Sequence, residues 1–336
     1  MISQIKPVNK EAYNVCKKRF DNVAKPIGSL GKLEELIERI AGITGSADID
    51  ISKKAVAVFC ADNGVLKHGV AMHDHHVTTA IGKFLRDGRG NVSTMAEASG
   101  ADVFAMDIGM VDTVDGLRNG KLMPGTNDMT KGPAMSRETA IEAIQTGIEM
   151  VKELSNKGYR LIATGEAGIG NTTTSAAVCA ALLNRPVSDV TGRGSGLDDE
   201  GYARKIAAIE QAIAVNKPDS SDPIDVLHKV GGLDIAAMTG VFLGGAFYKI
   251  PIVMDGFISG ISALLAVRLC ANVRDYILPS HMSEEPGAQL LMQEMHFSPI
   301  LQAGMRLGEG TGAVALFPLL DLALAVYQKT ATYADI

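Results

Sequence analysis

Tryptophan is missing from this 336-residue sequence, and aromatic residues make up only 5% of it. The core must therefore be built from Ala, Val, Ile, Leu and Met, within a hydrophobic fraction of 46%. Cysteine is scarce. Cys16, Cys60, Cys179 and Cys270 stand far apart with no CxxC pair, which excludes a disulfide framework and points to buried thiols in a reducing compartment. The N-terminal MISQIKPVNKEAYNV lacks the apolar core of a signal peptide, and no run of apolar residues reaches membrane-spanning length. The expected location is the cytoplasm, with no membrane partner. Excess basic charge is also lacking: the formal net charge of -6 argues against nucleic acid as the main partner.

Glycine, by contrast, is plentiful at 36 residues, as suits many tight strand–helix turns. Four short apolar runs have strand length: Ala55 to Cys60, Val103 to Met106, Leu161 to Ala163 and Ile250 to Met254. Fully apolar strands separated by helical segments imply a parallel sheet covered on both faces. The fold class expected is α/β, a Rossmann-like parallel sheet with helices on both faces. Each run leads to an acidic residue and a glycine, at Asp62, Asp107, Glu166 and Asp255. Ligands in such sheets bind beyond the carboxyl ends of the strands, so these four are expected to face one cleft.

The stretch from Arg160 to Leu183, RLIATGEAGIGNTTTSAAVCAALL, reads as strand, glycine turn and helix. Gly165, Gly168 and Gly170 let backbone N–H groups approach an anion, and a helix start adds partial positive charge. Thr172, Thr173, Thr174 and Ser175 supply hydroxyls for capping or for phosphate oxygens. Asn171 stands where a nucleoside-triphosphate loop carries its lysine. A single phosphate is the better match. Glu166 is a carboxylate inside an anion-binding turn, a local conflict of the kind that marks function.

Elsewhere the signals are weaker. Lys25 to Gly31 breaks two helical segments, with Ser29 or Gly31 able to start the second. His68, His73, His75 and His76 crowd into HGVAMHDHHVTT. Adjacent residues cannot share a face of a helix or a strand, so His75 and His76 are not expected to ligate one ion. No metal is expected, and the segment reads as a mobile polar lip. Asp115 to Pro133 reads as a surface loop able to close over a ligand, and Ser136 to Leu154 as an amphipathic helix. Gly192, Gly194 and Gly196 follow no clear strand, so a dinucleotide fingerprint is discounted. Asp198 and Asp199 open a helix carrying Arg204 and Lys205, a basic pair able to neutralise an anion or simply to face solvent. Glu309, between Gly308 and Gly310 before an apolar helix, is expected to be partly desolvated and suited to act as a base.

Taken together, KPIGSLGKLE, ADNGV, GEAGIGNTTTSAA, GRGSGLDDEG, GGLDIAAMTG, VMDGFIS, SHMSEEPG and RLGEGTGA resemble one family, nicotinate-nucleotide–dimethylbenzimidazole phosphoribosyltransferase. They run in the family's order from residue 25 to 313. The resemblance implies transfer of the phosphoribosyl group of nicotinate mononucleotide to a lower-ligand base such as 5,6-dimethylbenzimidazole. The products are nicotinate and an α-ribazole 5′-phosphate for cobamide nucleotide-loop synthesis. It implies no cofactor and a homodimer. Glu309 becomes the general base. Glu166, the loop of Gly168, Ile169, Gly170, Asn171, Thr172 and Thr173, and nearby Lys205 take the nucleotide. Asp255 and Ser283 resemble pocket residues, as do Ala71 and Met72 in the wall around the base. Where the family carries a segment like GVSxYPxEVT, this chain reads GVAMHDHHVT. Ala for serine and Met for an aromatic alter that wall, and some diverged relatives pair with a second chain and activate phenols. A large α/β domain over residues 50–275 is expected beside a smaller helical domain from 1–45 and about 275–336.

Overall fold

The computed structural model describes all 336 residues. Helices α1 (Lys10–Asn22) and α2 (Lys32–Thr44) lead into strand β1 (Lys54–Ala61), then α3 (His75–Arg86), α4 (Asn91–Ala98), β2 (Ala101–Gly109) and the two-residue β3 (Arg118–Asn119). The middle of the chain holds α5 (Arg137–Asn156), β4 (Leu161–Ala167), α6 (Asn171–Leu183), the single turn α7 (Val187–Val190), α8 (Asp199–Asn216) and α9 (Pro223–Val230). Next come α10 (Leu233–Tyr248), β5 (Ile252–Met254), α11 (Phe257–Leu269), β6 (Ile277–Pro279), α12 (Gly287–Glu294) and α13 (Thr311–Lys329).

All six strands are parallel, in the order β3-β2-β1-β4-β5-β6. This is the doubly wound order, with its switch point between β1 and β4. Every residue of β1 and β4 is buried, so both faces of the sheet's centre are covered, as the continuous apolar runs require. Strands β3 and β6 are too short to leave a sequence signal. The sheet thus extends to Pro279, a few residues past 275.

Local chemistry sets the helix starts. The side chains of Asn9, Asp74, Ser136, Asp198 and Asp222 accept backbone N–H groups at the starts of α1, α3, α5, α8 and α9. Gly31, not Ser29, precedes α2. Helix α10 is buried on all sides, with only Phe247 and Tyr248 partly exposed, and is apolar apart from Asp234 and Thr239. It crosses α5 at backbone contact: a Cβ on Gly147 would overlap the Ala237 carbonyl oxygen, and one on Gly240 that of Ile144.

Helix α13, at 19 residues, is long and apolar enough to cross a membrane. It does so by mixing small and apolar residues, without a bare apolar run. Here it packs on α2, α4 and β4, and Lys54 pairs with its Asp321 at 3.0 Å. The terminal helices and the sheet share one apolar core running from Ile5 to Tyr327.

Candidate active site

A cavity of about 800 Å³ opens beyond the carboxyl ends of β1, β4, β5 and β6, where the strand order reverses. That volume lies in the range of small-molecule sites. Val70 and Ala71 line it after β1, and Glu166, Gly168, Ile169, Gly170, Asn171 and Thr172 at the end of β4 and into α6. Asp255 lines it after β5, and His281 and Ser283 after β6. The segment Arg306 to Glu309 closes another side.

Glu309 sits in a backbone turn that few side chains adopt. Its φ is +59°, between Gly308 at +89° and Gly310 at +96°, all in the left-handed region that disfavours a Cβ. The surroundings hold it there. A Cβ on Gly165 of β4 would overlap the Glu309 carbonyl oxygen, so only glycine lets this turn lie on the strand. The Asp255 carboxylate accepts the N–H groups of Gly310 (3.2 Å) and Ala313 (3.0 Å), fixing the start of α13. The buried Glu309 carboxylate accepts the Asn91 side-chain amide at 2.9 Å and the Val92 backbone N–H at 3.1 Å. Both donors belong to the first turn of α4, whose dipole favours a negative charge. A strained, doubly anchored carboxylate on a cavity wall is placed to accept a proton from a bound ligand.

Beside this turn, where a Cβ on Gly308 would overlap Glu166 Oε1, the Asn171 amide donates to both Glu166 and Asp234, the latter at 3.0 Å. Burial first, and the Asp234 charge next, push the Glu166 carboxyl up to about 8. Burial likewise raises Asp234 to about 6. The shift of Glu166 favours its protonated form, one of whose oxygens accepts the Asn171 amide. Beneath the glycine loop, fully buried Lys205 donates to Thr172 Oγ1 (2.9 Å) and the Gly192 carbonyl (3.0 Å). Burial lowers it to about 8, against the pull of Glu285.

The expected cleft of four acids is not what the structure shows. Glu166 and Asp255 reach it, whereas Asp62 and Asp107 do not line it. Asp62 accepts the Val111 N–H at 2.7 Å, and Asp107 accepts that of Met110 (2.8 Å) while pairing with Lys121 (3.2 Å). Met72 is 56% exposed and away from the cavity wall, unlike Ala71. Thr173 is fully buried with its hydroxyl unpartnered, and Lys205 lies under the wall, not on it. The Asn171 side chain turns to carboxylates instead of replacing a phosphate-binding lysine. His68 is tied to Asp128 at 3.0 Å and His73 is exposed. His75 and His76 do converge, contrary to the adjacency argument: their rings lie 4.2 Å apart at the start of α3.

Four residues were not singled out from sequence. Asp234 lies within the GGLDIAAMTG motif, and His281 within SHMSEEP. His281 is buried on the cavity wall, with Nδ1 3.0 Å from Ser280 Oγ and 3.9 Å from Asp255. Asn91 reaches Glu309 from 218 residues away and leaves no local signal. Arg306 opens the RLGEGTGA motif, is exposed and lines the cavity.

A ligand cavity at the switch point of a doubly wound sheet, with a glycine loop and buried carboxylates around it, is shared by many α/β enzymes; the family model described as phosphoribosyltransferase matches residues 5–336 of this one. The nicotinate-nucleotide–dimethylbenzimidazole phosphoribosyltransferase of Ruminiclostridium cellulolyticum is 46% identical over 336 residues, covering 99% of this chain and 96% of that protein. Its counterpart in Acetivibrio thermocellus is 45% identical over the same shares. The crystal structure of CobT from Thermus thermophilus superposes with a TM-score of 0.92 at 35% identity, covering 96% of this chain and 98% of that one. The chain belongs to the nicotinate-nucleotide–dimethylbenzimidazole phosphoribosyltransferase family.

Proposed function

We propose that this chain transfers the phosphoribosyl group of nicotinate mononucleotide to a benzimidazole-type base, with Glu309 as the general base. One ring nitrogen of the acceptor attacks the ribose C1′ as the bond from C1′ to the pyridinium nitrogen breaks. The bonding pair leaves with nicotinate, whose ring becomes neutral. The proton on the acceptor's other ring nitrogen passes to the Glu309 carboxylate. Because the pyridinium is already a good leaving group, the displacement demands neither a metal nor an acid on the departing side. A single displacement inverts the anomeric carbon and needs no covalent enzyme intermediate.

The observation that carries this reading is the Glu309 carboxylate on the cavity wall, anchored by Asn91 and Val92. The glycine loop from Gly168 to Thr172, with Lys205 beneath Thr172, suits a single phosphate. Protonated Glu166 is placed to donate to a ribose or phosphate oxygen. Ala71 and Ser283 form part of the acceptor's surroundings. The same reading takes the protein as a cytoplasmic homodimer, in line with the family resemblance; light scattering on the purified chain tests the dimer.

Glu309→Gln keeps the shape and removes the proton acceptor. Nicotinate release should fall by about two to four orders of magnitude, with the thermal midpoint unchanged within a few degrees. Near-normal release by this variant refutes the base assignment. A panel of benzimidazoles and phenols then identifies the acceptor class: product from benzimidazoles alone supports the transfer proposed, and product from p-cresol alone replaces it with a phenol transferase.

A further inference from the structure

The start of α3 gathers side chains that the transfer does not use. Asp74 accepts the His76 N–H at 3.0 Å and caps the helix, which makes His75 and His76 its first two residues. There is no preceding turn to keep their imidazoles apart. Asp112, on the turn after β2, faces both. Its Oδ2 lies 3.9 Å from His75 Nε2 and 3.4 Å from His76 Nδ1. The three potential ligand atoms all lie within 4.8 Å of one another.

Those spacings match a shared ion. Nitrogen and oxygen ligands at about 2.0–2.2 Å from a tetrahedral centre stand roughly 3.3–3.6 Å apart. The distance from His76 to Asp112 already fits, that from His75 must shorten by a few tenths of an ångström, and the two ring nitrogens lie within 4.8 Å of each other. The residue is held in place: Thr79 Oγ1 donates to the same Asp112 Oδ2 at 2.9 Å, and Lys121 Nζ donates to the Asp112 backbone carbonyl at 3.0 Å. Such outer contacts orient a metal ligand. The imidazoles are half-exposed and exposed, which gives an ion an entry path and room for water in its remaining positions.

We propose that His75, His76 and Asp112 form a binding site for a divalent transition metal. Two imidazoles and one carboxylate select the zinc, nickel and copper class over magnesium or calcium. The ion would tie the start of α3 to the turn after β2. Helix α3 also carries Ile81 on the cavity wall and Thr78, whose hydroxyl accepts the Ile169 N–H of the glycine loop at 3.1 Å. The site therefore lies at the start of a helix that reaches the cavity wall, and none of its three residues lines the cavity itself.

The test is a zinc titration of the full, untagged chain against a chromophoric chelator. The wild type should bind one equivalent that H75Q/H76Q and D112N each bind at least about tenfold more weakly. H73Q should retain it, because exposed His73 is outside the cluster. Circular dichroism in the presence of a chelator controls for folding. A crystal soaked in zinc should give an anomalous peak bonded to both rings. Wild-type affinity in H75Q/H76Q, or no saturable binding by the wild type, overturns the proposal.

Discussion

Asn91 and Glu309 are 218 residues apart in the chain, and the Asn91 amide donates to the Glu309 carboxylate at 2.9 Å. The contact joins the first turn of α4 to the glycine turn before α13. It also sets the direction in which the carboxylate faces the cavity. Without it, Glu309 keeps only the Val92 N–H and is free to turn about its long axis.

Asn91→Ala should therefore lower kcat by about tenfold, since a misaimed base loses part of the two to four decades that positioned proton transfer supplies. KM for the nucleotide should stay within about twofold, because Asn91 touches none of the glycine loop. Steady-state kinetics at saturating acceptor separate the two. A rise in KM with kcat intact would assign Asn91 to binding instead.

Gly165 is the second support. Any Cβ there meets the Glu309 carbonyl, and β4 is buried on both faces with no room to yield. Gly165→Ala should cost about 1–3 kcal/mol of stability and displace the turn that carries Glu309. Urea unfolding should show a lower midpoint with unchanged slope, and turnover should fall in the material that remains folded. A variant with wild-type stability and turnover would mean that the turn slides freely over the strand.

The Glu166–Asn171–Asp234 bridge has a pH signature. The Glu166 carboxyl, at about 8 in the fold against an ordinary 4.5, keeps a proton that the unfolded chain releases. Its stabilising contribution is complete below pH 4.5 and is lost as pH rises through about 8. The loss is at most about 1.4 kcal/mol per pH unit for one group. Glu166→Gln should flatten the fall in thermal midpoint between pH 6 and 9, above the window of Asp234. Asp234→Asn removes a charge that raises Glu166, so its fall should end at a lower pH. Identical pH profiles for all three proteins would dismiss the coupling.

Much of this architecture is legible in the sequence. AVAVFC and the start of RLIATGEA are apolar on both faces and become central strands; Ser136 and Asp198 cap helices, as their residue types predict. Strands β3 and β6 are not legible, because two or three residues carry no periodicity. The acids after the strands mislead for a different reason. Asp62 and Asp255 sit in similar local sequence, yet each is used by whichever backbone N–H the fold brings near: Val111 for one, Gly310 and Ala313 for the other. The rule that neighbours face apart fails at His75 and His76 because it describes a helix interior, and these residues open one.

Lys205 gives the last prediction. It is fully buried, its ammonium donates to Thr172 and Gly192, and no carboxylate lies in salt-bridge contact with it. A buried cation without a close counter-ion is costly, and burial accordingly lowers it to about 8. A phosphate bound on the glycine loop above would supply the missing negative charge. Lys205→Met retains length and apolar packing but removes charge and donors. KM for nicotinate mononucleotide should rise by about tenfold, the effect of removing a nearby positive charge from beneath the phosphate. The change in kcat should be small, because the phosphate is remote from C1′. In the wild type, that KM should also climb as pH passes about 8 and the lysine loses its proton, whereas the variant's should stay flat. A wild-type KM that is level from pH 7 to above 9 would show that the lysine holds up the loop through hydrogen bonds alone and contributes no charge to the nucleotide.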